Sequence, residues 1–172
     1  MASKLINSYL ATDLTIELPS GTYLFTDSPH PDALAELPSE FVKRTWYVIT
    51  AWNPRSQADL PQANEKNQID LRETLIVYGY AVFDAYGAES NPESDYGEPM
   101  LAVYLEEDDW DDLNEDIANL ATDFGQNAYF KIDGDVVHLM PGLMPDALGS
   151  RKKYIVRIKP GEQVAAQRGD AS

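Results

Sequence analysis

The sequence predicts an α+β (or α/β) fold: a two-layer sandwich with a mixed sheet of about five to seven strands covered by two amphipathic helices. Three observations carry this expectation. Several short segments are β-rich and alternate with period two, as strands do. Two longer segments, 62–78 and 109–124, repeat apolar residues at steps of three and four, as helices do. The order reads β-β-α-β-β-α-β-β, and a helix with one apolar stripe covers one face of a sheet.

Residues 3–11 form a short amphipathic helix with Leu5, Ile6, Tyr9 and Leu10 on one side. A strand near Leu14–Leu18 turns at Pro19-Ser20-Gly21 and pairs back through Thr22–Thr26. Residues 27–40 read as a Pro-, Asp- and Ser-rich loop with at most a helical turn. Arg44–Trp52 is apolar on both faces, which places it centrally in its sheet, and Asn53-Pro54 ends it because proline cannot donate to a ladder. The helix over 62–78 carries a stripe of Asn64, Asn67, Leu71, Leu75 and Tyr78, and Gly79 caps it. Strands follow at Tyr80–Tyr86 and Met100–Leu105, with 87–97 as an exposed loop between them. Helix 109–124 buries Trp110, Leu113, Ile117, Leu120 and Phe124, and its Asp-rich first turn suits a helix N-terminus. Asn127–Ile132 and Val136–Met140 make a hairpin across Asp133-Gly134. Tyr154–Ile158 adds a last strand. Residues 1–159 are one domain, and 160–172 a frayed polar tail.

With 172 residues, 44% hydrophobic, the chain has apolar material for a core. It has 29 Asp and Glu against 13 Lys and Arg, a net charge of -16. A surface this negative is a poor partner for nucleic acids and anionic membranes. There is no long apolar run or processing signal, so the expected location is the cytoplasm. The absence of cysteine excludes disulfides, thiolate zinc sites and cysteine nucleophiles. The charge is uneven: residues 84–123 hold fourteen acids and no Lys or Arg, whereas 149–160 hold Arg151, Lys152, Lys153, Arg157 and Lys159. The two regions either form solvated faces or pair with each other, within one fold or across a dimer.

Four clusters are candidate sites. A buried strand ends in Trp52-Asn53-Pro54-Arg55-Ser56, and strand ends are where α/β folds place ligand groups. There Asn53 either presents its amide to a ligand or satisfies local backbone in an Asx turn. Asn64 and Asn67 lie on an apolar stripe and need polar company, unless they cap the helix instead. Gln126 and Asn127 stand at the entrance of a strand. Glu98, before Pro99, and Glu65 are two carboxylates that acid/base or metal chemistry would use, although in a chain this acidic a chance pair is the default.

Together these segments resemble the bacterial domain-of-unknown-function family 3293. The pattern is carried by Thr50-Ala51-Trp52-Asn53-Pro54-Arg55-Ser56, Asn64-Glu65-Lys66-Asn67, Glu98-Pro99 and Phe124-Gly125-Gln126-Asn127-Ala128, and the likeness covers roughly residues 5–133. The long loop at 27–40 and the basic segment at 149–160 depart from it. The resemblance implies a compact cytoplasmic α/β domain in which the amide-rich positions form one site, without naming a ligand.

No phosphate loop, dinucleotide fingerprint, histidine metal motif or calcium loop is present, and no cofactor or metal is expected. A Ser56–His138–Asp triad lacks an elbow motif. Three functions remain. The first is a domain binding a small polar ligand (nucleotide-, amide- or sugar-like) through Trp52, Asn53, Arg55, Ser56, Asn64, Asn67, Gln126 and Asn127. The second is an acidic interaction module, a nucleic-acid mimic or an inhibitor of phage or mobile-element type. It would meet a basic protein partner through Asp108, Asp109, Asp111 and Asp112. The third is a hydrolase with Glu65 or Glu98 as base.

Overall fold

The computed structural model describes residues 2–54, 57–89, 97–105 and 110–158. In chain order the elements are α1 (Ala2–Leu10), β1 (Thr12–Leu18), β2 (Gly21–Thr26), α2 (Ser39–Val42), β3 (Trp46–Ile49), α3 (Pro61–Val77), β4 (Tyr80–Glu89), β5 (Gly97–Leu105), α4 (Trp110–Asp123), β6 (Ala128–Asp133), β7 (Val136–Pro141), β8 (Gly149–Lys152) and β9 (Tyr154–Ile158). The predicted tail, 160–172, lies outside the described residues.

The architecture corrects the expected two-layer sandwich. All nine strands pair antiparallel in one sheet of order β8-β7-β6-β3-β5-β4-β1-β2-β9. The two end strands, β8 and β9, are consecutive in the chain and separated only by Lys153. The sheet therefore curls until its ends meet, as a nearly closed, mostly β barrel. The physical reason is coverage. Helices α3 and α4 shield one outer sector, where Tyr47, Ile49, Leu101, Val103 and Tyr129 pack with Leu71, Leu75, Ile117 and Leu120. No layer of helices covers the opposite face. That face is apolar over most of the strands, with Glu89 and Glu98 at one end, so rolling it inward is how it leaves water.

The alternation inside is regular. Strand β1 turns Leu14, Ile16 and Leu18 inward, β3 Trp46 and Val48, β6 Phe130 and Ile132, and β7 Val137 and Leu139. Phe41, from the single turn α2, fills the middle against Tyr23, Phe25 and Trp46, at ring separations of 5.0–5.5 Å. A Cβ on Gly87 would lie 2.4 Å from Cε of Met100, so a larger residue there would require the flexible end of that side chain to move.

Three local expectations are corrected. Strand β4 runs on to Glu89 and β5 begins at Gly97, so the loop expected over 87–97 is strand at both ends. Tyr78 is 54% exposed rather than part of the buried stripe of α3. The Gly149–Lys152 strand has no apolar alternation, which is why its sequence reads only as a basic segment. Those cations do not meet residues 84–123 in any described ion pair. Arg151 and Lys153 pair with Asp27, at 2.9 and 3.0 Å, and Lys152 with Asp135 at 3.7 Å.

Lys153 closes the seam. Its ammonium group is buried and donates to the carbonyl oxygens of Leu10 (2.7 Å) and Thr12 (3.0 Å), tying the β8–β9 junction to the α1–β1 junction. Burial pulls its pKa below the ordinary lysine value, and the Asp27 carboxylate opposes the shift. The 27–40 loop covers the β9 edge, where Ala33 bridges Val156 and the Leu34 amide donates to the Ile155 carbonyl (2.8 Å).

Candidate functional site

The inner residues of β4 and β5 form a gradient along the barrel axis. Phe83 and Tyr104 stand at one end, Ala85, Ala102 and Met100 in the middle, and Glu89 and Glu98 at the other. The acidic end opens into a cavity of about 360 Å³. Its floor is Val48, Met100, Ala128 and Phe130, and helix α1 covers one side with Leu5, Ser8 and Tyr9. Thr12, Thr50, Asn53 and Gln126 complete a polar rim. A mixed apolar floor and a few convergent polar groups are what a small-molecule site requires. The Ser8 hydroxyl donates to Oε1 of Glu89 at 3.1 Å, so α1 is fastened to the acidic wall. Glu98 is 7% exposed.

The structure brings together only part of the predicted site. Asn53, Gln126 and Glu98 line the cavity. Asn64 is buried behind Asn53 and acts as wiring: its Oδ1 accepts from the Asn53 amide (2.8 Å) and its Nδ2 donates to Oδ1 of Asn53 (2.7 Å). Oδ1 of Asn53 also accepts from the Asp59 amide (3.1 Å), and Asn53 holds a φ of 44°, in the left-handed region that costs most side chains and that asparagine tolerates. The loop-satisfying role thus accounts for the described hydrogen bonds of both asparagines. Asn64 is not a cap, because α3 starts at Pro61. Gln126 donates through Nε2 to the carbonyls of Trp52 (3.1 Å) and Phe124 (3.3 Å), binding the β3 end to the α4–β6 turn.

The Asn127 carbonyl accepts from the amides of Gly142 (2.9 Å) and Met144 (3.1 Å). Only glycine fits at 142, since a Cβ there would come within 2.4 Å of the Gln126 carbonyl oxygen. Trp52, Asn67 and Asn127 are half-buried and outside the cavity lining, and Glu65 is exposed on α3. Arg55, Ser56, Asp108 and Asp109 lie outside the described residues, and the side chains of Asp111 and Asp112 are likewise not described.

Sequence reasoning missed two residues. Glu89 was assigned to a loop, and only the strand pairing shows that it faces the interior. Gln68 lies four residues after Asn64 and so on the same helix face, a readable signal. Its Oε1 accepts from the Ala51 amide (2.8 Å) and its Nε2 donates to the Pro99 carbonyl (3.3 Å). With the Thr50 hydroxyl donating to the same Pro99 carbonyl (2.8 Å), it locks the β3 and β5 ends that frame the cavity.

His138 finds a serine, but Ser150 and not Ser56: Nδ1 is 2.6 Å from the Ser150 hydroxyl and Nε2 3.2 Å from Asp133. This cross-strand cluster is on the outer surface of β6, β7 and β8 and lines none of the cavities described. Among the described residues no group of three or more His, Asp and Glu side chains could hold a metal ion, and no helix is long and apolar enough to cross a membrane.

Residues 49–129 match the family described as "Protein of unknown function (DUF3293)", which bears out the resemblance over that span. No curated protein and no solved structure matches the chain. The matched span supplies Asn53, Glu89, Glu98 and Gln126 to the cavity, while α1 and Thr12 come from outside it.

Proposed function

Taking residues 49–129 as a segment of the DUF3293 family, we propose that the chain binds a small polar ligand in the cavity at the acidic end of the barrel. One observation carries this reading: three residues distant in sequence, Asn53, Glu98 and Gln126, converge on one cavity with an apolar floor. Two carboxylates on the wall accept hydrogen bonds and repel phosphate. They favour a ligand rich in hydroxyl or N–H donors, sugar- or amide-like, over a nucleotide. The locked strand ends pre-form the site, which lowers the ordering cost of binding. The hydrolytic reading retains only Glu98, now beside Glu89; Glu65 is not part of it.

The test is a thermal-shift screen of neutral polyols, sugars and primary amides. A ligand present at a hundred times its Kd stabilises by about 2.7 kcal/mol. For a chain of this size that corresponds to roughly 5–10 °C in Tm. Ala128→Leu, which fills the floor with an apolar side chain, should abolish the shift while leaving the protein folded. A shift of equal size in Ala128→Leu would place the ligand elsewhere and reject the proposal.

A further inference from the structure

The opposite end of the barrel holds a second cavity, of about 340 Å³, that no sequence motif marks. Its wall is aromatic. Trp46 is buried and held by its indole N–H, which donates to the Glu40 carbonyl at 2.9 Å. Phe83 and Tyr104 are half-buried and nearly parallel, 6.0 Å apart at 19°, and Trp46 meets Tyr104 edge-on at 4.8 Å. These rings leave partly exposed apolar surface at the barrel mouth.

The lip is cationic. Lys43 and Arg44 line the cavity, and the Arg44 guanidinium lies 4.0 Å from the centre of the Tyr104 ring. Among the described residues neither makes an ion pair, and nor do Lys4 and Arg157, whereas Lys66, Arg72, Lys131, Arg151, Lys152 and Lys153 all do. Among the described residues, 43–44 is the one place where two consecutive cations both lack a carboxylate partner. The one acid on this rim, Glu40, is occupied: its two oxygens accept from the hydroxyls of Ser39 (2.8 Å) and Ser20 (2.9 Å). Burial acts to raise its pKa, but these hydrogen bonds together outweigh burial and hold it below the ordinary carboxyl value. An incoming anion is therefore directed away from Glu40 and toward Arg44.

We propose that this cleft binds a planar ring carrying an anionic substituent, with the ring against Phe83 and Tyr104 and the anion on Arg44 and Lys43. A guanidinium stacked on an aromatic ring is pre-oriented, and its fork suits carboxylate and phosphate alike. The same chemistry occurs in a free aromatic acid and in a nucleotide. This site is independent of the cavity at the acidic end.

The experiment is a heteronuclear NMR titration of the intact chain that follows the Trp46 indole N–H, identified with Trp46→Phe. The probes are indole-3-carboxylate and adenosine 5′-monophosphate, with indole and adenosine as neutral controls. The expected result is a saturable Trp46 shift with one or both anions. Binding of the aromatic acid alone assigns the free acid, and binding of the nucleotide alone assigns the nucleotide. Affinity should fall about 10- to 100-fold in Arg44→Gln, as expected when a charged hydrogen-bonding partner is lost, with a further fall when Lys43→Gln is added. Ala128→Leu, at the other end, should bind as the unaltered chain does. No saturable shift below about 10 mM would overturn the proposal, that being weaker than any specific site here needs. So would neutral rings binding as well as the anions, or unchanged affinity in the doubly substituted variant.

Discussion

Replacing Lys153 by methionine tests whether the barrel depends on its seam. Methionine keeps most of the side-chain stem and removes the ammonium group. The Leu10 and Thr12 carbonyls then lose their donor at 2.7 and 3.0 Å, and Asp27 loses one of its two cations. Arg151, whose side chain is 38% exposed, remains to hold Asp27, so the carboxylate is not left bare. The cost is therefore that of two carbonyls losing a charged donor, at about 1–3 kcal/mol each, plus a reduced ion pair. The two carbonyls alone give roughly 2–6 kcal/mol, a range that spans the values for breaking a buried pair outright. In a domain of this size that lowers Tm by roughly 4–24 °C. Thermal unfolding by circular dichroism measures it, and amide exchange tells where the loss falls: protection should drop first around residues 10–14 and in β8 and β9. A Tm within about 2 °C of the parent, less than even the smaller cost predicts, would refute the view that Lys153 holds the seam.

Two further predictions concern the shielded sector and the loop. Burial raises the phenol pKa of Tyr47, Tyr80 and Tyr129, with nearby Asp133 and Asp116 adding to the first two. Their contribution is intact below the unfolded value near pH 10 and is lost above it, at up to about 1.4 kcal/mol per pH unit for each tyrosine. Lys153 acts with the opposite sign, because its depressed pKa makes stability rise with pH until about 10.5, so the tyrosines dominate above that point. Urea unfolding at a series of alkaline pH values checks this, and constant stability from about pH 10.5 to 11.5 would reject it. Asn64→Leu should destabilise by about 2–3 kcal/mol, since it strips the Asn53 amide of its acceptor and Oδ1 of a donor. The loss should appear in Tm and in faster exchange of the Asn53 amide; an unperturbed amide would contradict the wiring role.

Part of this was legible in the sequence. The 3,4 spacing located α3 and α4 to within about two residues, and Asp133-Gly134 located the β6–β7 turn, because local periodicity and turn chemistry depend on near neighbours. Asn64 was legible as a polar residue in apolar company, and its partner Asn53 was singled out independently. Glu89 and the strand Gly149–Lys152 were not legible. One is a single carboxylate at a strand end and the other has no alternation, so only their cross-strand partners define them. The two cavities divide in the same way. Asn53, Glu98 and Gln126 belong to motifs, whereas Lys43, Arg44, Phe83 and Tyr104 are scattered along the chain and carry no spacing that marks them.

By itself the sequence determined the amphipathic segments, the uneven charge and a resemblance that the family match bears out over residues 49–129. It could not determine how the sheet ends. A half-buried strand in a flat sandwich and the same strand in a barrel have the same period of two, because alternation records that one face is covered and not what covers it. The decision between them is a balance over the whole molecule: two helices cover one sector, and the remaining apolar face leaves water by closing on itself. That closure put β8 beside β9, buried Lys153 between them, and turned an alternating ladder into a barrel with an acidic mouth and a cationic, aromatic one.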